Sequence, residues 1–151
     1  MEMNQTLNTL LVTLFQEIMN IEQKALITGE FTDITINDMH VIEAIGVSEP
    51  QTSSAVAKRL SVTVGTLTKA IDRLTRNSYV LRERSDEDKR LVLLSLTEKG
   101  DRAYFHHQNF HKEMVRSALS GFSETETGIL VKSLGSLVDY FRSHDKGEQK
   151  V

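Results

Sequence analysis

Leu7, Leu11, Leu14, Ile18, Ile21 and Ala25 are spaced alternately by four and three residues, an unbroken heptad stripe, and Val12, Phe15, Met19 and Leu26 form a second stripe beside it. A helix apolar over so wide an arc must bury two sides, and its own domain normally covers one. The pattern therefore predicts a helix shared between two subunits. Thr28 to Asp33 reads as a loop around Gly29. Thr35 then opens a short helix, with Asp38 three residues on as an imperfect capping box, and the helix stops at Gly46. Pro50 lies in the loop that follows.

Thr52 caps a next helix, Ser53 to Leu60, whose Ala57 and Leu60 keep one face small and apolar. Ser61, Val62 and Thr63 make a turn, and Thr63 caps a second helix. Its Leu67, Ile71 and Leu74 form a buried stripe, while Thr66, Thr68, Lys69, Arg73 and Arg76 face outwards. The period then changes from about 3.6 to about 2, with Tyr79 to Arg84 and Leu91 to Leu96 as β-type runs around the polar loop Ser85 to Arg90. Thr97 caps a long helix through Phe105, Phe110 and Met114 to about Leu119, and Gly121 ends it. Ser123 and Glu126 form a further capping box ahead of the stripe Leu130, Leu134, Leu137 and Phe141; the polar stretch His144 to Val151 is expected to fray.

The expected fold class is mainly α with a small β-hairpin wing: a winged helix-turn-helix over residues 35–97. A dimerisation helix and loop precede it over residues 1–34, and C-terminal dimerisation helices follow over residues 98–151. The apolar surplus sits at the two ends, so the N- and C-terminal helices are expected to zip into a two-fold homodimer that presents the central lobes as a pair.

Charge sharpens this picture. The net charge of −3 conceals an asymmetry, because residues 52–90 hold nine of the eighteen Lys and Arg against five acids, so that the segment is +4 and the remainder −7. A length of 151 residues with 39% hydrophobic content suits one compact domain, or a small domain with dimerisation arms. The chain has no Cys, which removes disulfides, thiolate zinc ligands and cysteine catalysis and fits a reducing compartment. Met1 is followed by an acid and the run Leu10 to Phe15 soon meets polar residues, so neither a signal peptide nor a membrane span is expected; the expected location is cytoplasmic. An enzyme is not expected: no Gly-rich phosphate loop, G-x-S-x-G or paired acids beside an apolar pocket is found.

A basic helix carrying two threonines within three positions, followed by a charged hairpin, points to double-stranded DNA. The amino end of the helix near Val64 offers free N–H groups and a positive dipole end. Thr63 lies at that end and Gly65 lets the backbone come close. Thr66 and Thr68 offer a hydroxyl and a methyl, and Lys69 reaches a guanine edge or a phosphate. Arg73 and Arg84 add positive charge on either side. In the wing, Asp88 and Arg90 stand two apart, and if the strand reaches them their side chains share a face, so that the carboxylate holds the guanidinium extended toward a narrow A·T-rich minor groove. Lys89, on the other face, is placed for a phosphate. A two-fold dimer reads half-sites of a palindrome about 10 base pairs apart, or a multiple of that.

The run Leu60-Ser61-Val62-Thr63-Val64-Gly65-Thr66-Leu67-Thr68-Lys69-Ala70-Ile71-Asp72-Arg73-Leu74, followed by Arg84, by Asp88-Lys89-Arg90 and by Leu96-Thr97-Glu98-Lys99-Gly100, resembles the MarR family of bacterial regulators. The resemblance implies a dimeric repressor whose Arg90 enters the minor groove and whose ligand pocket lies between dimer arms and reading heads. One departure is Asn77-Ser78, where the family often has a glycine; Asn tolerates the left-handed conformation, so the turn is expected to survive. The stretches Phe31 to His40 and Phe110 to Val115 are similar to the FabT-type repressors of fatty-acid synthesis in Gram-positive bacteria. That similarity implies a long-chain acyl group on acyl carrier protein as corepressor, and no resident cofactor. Met19, Met39, Phe110 and Met114 are the candidates for an apolar slot, and Lys24, Lys112 and Arg116 the basic candidates for the acidic carrier.

A winged helix that docks on another protein is the alternative to DNA reading, and two alternatives concern the effector. Some MarR-like proteins respond to zinc, and His107 and His111, at i and i+4 on one helix, form a chelating pair that His40, His106, Glu22 or Glu30 would complete. Others are released from DNA by small aromatic ligands.

Overall fold

The computed structural model describes residues 2–145, in the order α1 (Glu2–Thr28), α2 (Ile36–Ile45), β1 (Gln51–Thr52), α3 (Ser53–Leu60), α4 (Val64–Arg76), β2 (Val80–Arg84), β3 (Val92–Leu96), α5 (Glu98–Ala118) and α6 (Glu124–Asp145). It divides into two compact units, Met1–Phe110 and His111–Val151.

In the first unit the helix starts follow the expected caps. Thr35 Oγ1 accepts from Asp38 N and the Asp38 carboxylate accepts from Thr35 N, both at 3.1 Å, so the capping box is complete despite the short acid. Thr52 caps α3 through Ala55 N and Thr63 caps α4 through Thr66 N, each at 3.1 Å. Gly46 ends α2 with φ of 72°, a conformation that a side chain disfavours. The turn between α3 and α4 pivots on Ser61, which is left-handed at φ of 55°. The end of α4 departs from the expectation. Asn77 stays at φ of −87° because its side-chain amide donates to the Asp33 carbonyl, and Ser78, at φ of 65°, takes the left-handed position instead.

The hairpin forms from the two expected runs and is antiparallel, from Val80 opposite Leu96 to Arg84 opposite Val92. A third strand, missed in the sequence, pairs Gln51 and Thr52 with Leu94 and Leu93, giving the order β1-β3-β2. Two residues show no alternation to read. The core combines Val41, Ile42 and Ile45 of α2 with Val56, Leu67, Ile71, Leu74, Val80 and Leu94, and Leu26 and Ala103 join it from α1 and α5.

Tyr79, fully buried, is the junction of this unit. Its hydroxyl donates to Asp33, its carbonyl accepts from Thr97 N at 3.0 Å, its ring meets Phe31 edge-on, and Lys99 Nζ sits 4.2 Å above the ring. Burial, with Asp33 adding to it, pushes the Tyr79 hydroxyl well above its ordinary range. For Asp33 burial pulls upward, but the bonds from Tyr79 and Lys99 outweigh it and hold the carboxyl below the usual range.

In the second unit Ser123 and Glu126 form the expected capping box, with bonds of 2.8 and 3.2 Å. The helix it opens runs on through His144, whose ring lies 4.2 Å from that of Tyr140; residues 146–151, the rest of the stretch expected to fray, lie outside the described residues. Ile129, Val131, Leu134, Val138, Tyr140 and Phe141 of α6 are exposed. In the first unit Leu7, Leu10, Val12, Leu14, Phe15 and Ile21 of α1 are exposed as well. No described helix is long and apolar enough to cross a membrane.

Candidate DNA interface

The second helix of the motif, α4, buries Leu67, Ile71 and Leu74 and turns Gly65, Thr66, Thr68 and Lys69 outwards. Its two outward threonine hydroxyls are already engaged: Thr66 Oγ1 accepts from Thr63 Oγ1 at 3.0 Å and keeps its own proton to donate, and Thr68 Oγ1 donates to Val64 O at 2.8 Å. Thr63 spends its oxygen on the cap, which fixes the helix start rather than presenting a free group. The methyls and the remaining lone pairs of Thr66 and Thr68 stay outward. A side chain at Gly65 would meet nothing closer than Thr63 Oγ1 at 3.9 Å, so the fold itself does not require glycine there. What the missing side chain provides is an open approach to the helix start.

The wing places its groups differently from the strand-based expectation. Strand β3 begins at Val92, so Asp88 and Arg90 lie in a loop rather than on one face of a strand. The pair forms all the same, because Asp88 Oδ1 accepts both Arg90 N and Arg90 Nε at 3.1 Å, while Arg90 Nη2 reaches Oδ2 at 3.3 Å. These bonds, side-chain then backbone, hold the Asp88 carboxyl below its usual range, so it stays charged at neutral pH. The Arg90 side chain is 90% exposed. Lys89 lies 3.3 Å from Asp86, an exposed and weak pair that leaves it able to turn to a phosphate. Arg84 donates to Lys89 O at 2.8 Å and so braces the wing tip. Arg73 points to Asp38, at 2.7 Å.

Between α4 and the wing runs a groove of about 320 Å³ lined by Thr52, Ser53, Ser54, Val64, Leu67, Thr68, Ile71, Arg82, Arg90, Leu91 and Val92. Ser53, Ser54 and Arg82 were not singled out in the sequence. Arg82 is turned by Asp72, 2.9 Å away, and the signal that could have found it is its place two residues after the buried Val80, on the same face of β2. Arg90→Ala is expected to cost about 1–3 kcal/mol of operator binding per half-site and to relax the preference for A·T flanks. Anisotropy on duplexes with A·T and G·C flanks checks it, and equal losses on both would place Arg90 on phosphate instead.

The candidate effector residues separate into groups. Met39 and Phe110 line a narrow pocket with Glu22, Ala25, Leu26, Ile36, His106 and His107; its volume is about 10 Å³, no more than about one water. Met19 packs against the core without lining that pocket, and Met114 belongs to the second unit. Among the candidate metal ligands, His40 Nε2 is 3.9 Å from Glu22 Oε2, the rings of His40 and His107 are 6.0 Å apart, and His107 Nε2 is 3.7 Å from Glu43 Oε2. His106 packs on Phe31 and Glu30 pairs with Arg102, so neither joins this group; Glu43, beside His107, also accepts from Gln108 Nε2 at 2.8 Å. His111, one turn beyond His107, opens the second unit.

A winged helix with a basic, outward-facing second helix and an extended arginine at its wing tip defines a DNA-reading module. Comparison with known proteins places it more narrowly. The MarR family model matches residues 34–92. The DNA complex of FabT from Streptococcus pneumoniae is similar over 93% of this chain and 98% of that one, with 38% identity and a TM-score of 0.89. The transcriptional regulator SarZ of Staphylococcus epidermidis is 30% identical over 119 residues, 78% of this chain and 76% of that protein. The Bacillus subtilis regulator YkoM is 33% identical over 91 residues, 60% of this chain, and the match spans only 59% of that protein. The chain belongs to the MarR family of DNA-binding transcriptional regulators. It is a regulator, not an enzyme.

Proposed function

We propose that the chain is a cytoplasmic, homodimeric repressor of fatty-acid biosynthesis genes that reads a palindromic, A·T-rich operator, with a long-chain acyl group on acyl carrier protein as corepressor. The observation that carries this reading is the 38% identity to FabT over nearly the whole chain, in a complex with DNA. The exposed apolar rows of α1 and of α6 support a second copy as the partner, because a lone soluble chain rarely leaves so many large apolar groups in water. Met39 and Phe110 support the acyl chain. Their pocket is too small for an acyl chain as it stands, so the ligand enters by moving them apart, and methionine tolerates such repacking.

A zinc-responsive regulator is a second reading, favoured by the buried Glu22 and His107, which offer ligand atoms within 4.8 Å of each other, with His40 beside them. Nitrogen and oxygen ligands of this kind suit zinc. One titration separates the readings: anisotropy of a labelled A·T-rich palindromic duplex at fixed salt, with acylated carrier, with unacylated carrier, and with chelator against micromolar zinc. Tightening by the acylated carrier alone supports the lipid reading. Tightening or release by zinc supports the second, and indifference to both discards both and leaves small aromatic ligands to test.

A further inference from the structure

Asp38 is a charged side chain inside the first unit, 1% exposed, and its two oxygens have separate tasks. Oδ2 accepts from Thr35 N and closes the capping box; Oδ1 accepts from Arg73 Nη2 at 2.7 Å. A capping box does not need burial, since the Ser123 and Glu126 box of α6 lies exposed. Desolvating a carboxylate is costly unless it is paired, so its burial is tied to the Arg73 guanidinium, whose affinity for its proton the same bond raises.

Arg73 stands on α4 one turn beyond Lys69, and Thr66, Lys69 and Arg73 border one groove with Asn37 and His40 of α2. The stripe Leu67, Ile71 and Leu74 sets how deeply α4 sits, but the hydrophobic driving force that buries it has no direction of its own. A charge-assisted hydrogen bond has a direction. From this geometry we infer that Asp38 and Arg73 are a positioning pair: the buried carboxylate sets the rotation of α4, and with it the aim of Thr66 and Lys69, and Arg73 serves this bond rather than a phosphate. The inference rests on α4 being the DNA-reading helix.

The two roles predict opposite behaviour. The test measures the wild type, Asp38→Asn, Arg73→Lys, Arg73→Met and the double variant Asp38→Asn with Arg73→Met. Anisotropy is read on a duplex that the wild type selects from a random library and on a scrambled duplex of the same composition, across a range of salt. As a positioning pair, each single change weakens selected-duplex binding about ten-fold, and the double is no worse than the weaker single. Binding to the scrambled duplex and the salt slope stay at wild-type values. A loss confined to the selected duplex is not what simple instability produces, because lowering the folded fraction weakens both duplexes alike.

Arg73→Lys keeps the charge and is the variant that folds most readily; it loses selected-duplex affinity if the fork geometry matters. The inference is overturned if Arg73→Lys binds as the wild type does, if Arg73→Met weakens both duplexes and lowers the salt slope by about one, or if the two single losses add. If the wild type selects no sequence, or Thr66→Ala and Lys69→Ala leave selection unchanged, it is the reading of α4 that fails.

Discussion

Leu14→Asp is expected to give monomers that no longer bind operator. Leu14 lies in the heptad stripe of α1 and is 52% exposed, with Leu7, Leu10 and Phe15 near it in the same state. A carboxylate there removes no contact of the core, because Leu14 is not part of it. The helical signal of the folded chain therefore stays close to wild type, while the apolar surface offered to a second copy acquires a charge that association would have to bury, and melting loses the stabilisation that the partner supplies. Loss of the dimer removes the second reading head, and a single winged helix keeps only one half-site's contacts. Analytical ultracentrifugation read beside anisotropy decides it. A Leu14→Asp chain that sediments as a dimer would show that α1 does not form the interface.

Gly100→Ala is expected to destabilise the first unit by about 2–3 kcal/mol, the scale of overpacking a tight core. A Cβ there would overlap the carbonyl oxygen of Tyr79, a backbone atom, and press on Leu96 Cβ at 3.1 Å. The same carbonyl accepts from Thr97 N, and Thr97 Oγ1 caps α5 through Gly100 N at 3.1 Å, so the helix start cannot retreat without breaking its own cap. Displacing α5 also disturbs the Tyr79 junction with Asp33 and Lys99. Calorimetry is expected to show a midpoint about 5–10 °C lower. A variant melting within about 1 °C of wild type would mean that the backbone at Tyr79 yields freely.

The same residues show how far a linear reading carries. Every helix start in the DNA-reading unit was legible because a cap is a local device: Thr35, Thr52 and Thr63 each bond a backbone N–H three residues on, whatever the rest of the chain does. The apolar stripe of α4 and the strand alternation of the hairpin were legible for the same reason, since period alone sets which face is buried. The Asp88 and Arg90 pair was found by its spacing but through the wrong geometry. A turn bond, not a strand face, joins them.

What eluded the sequence are contacts between residues far apart in it. Arg73 reads as one more outward base on a basic helix, and only the packing of α2 against α4 turns it to a buried carboxylate 35 residues away. Gly100 reads as part of a family motif, and only the approach of Tyr79 shows why no side chain fits there. The pocket at Met39 and Phe110 reads as a slot and is filled almost completely by its own lining, because how tightly helices meet depends on all their facing side chains at once. By itself the sequence determined the elements, their caps, the basic middle and the apolar ends, because propensity, period and charge are properties of short stretches. The tertiary structure decided which charges face outward and which are spent inside, because burial and directed hydrogen bonds arise only when distant stretches meet.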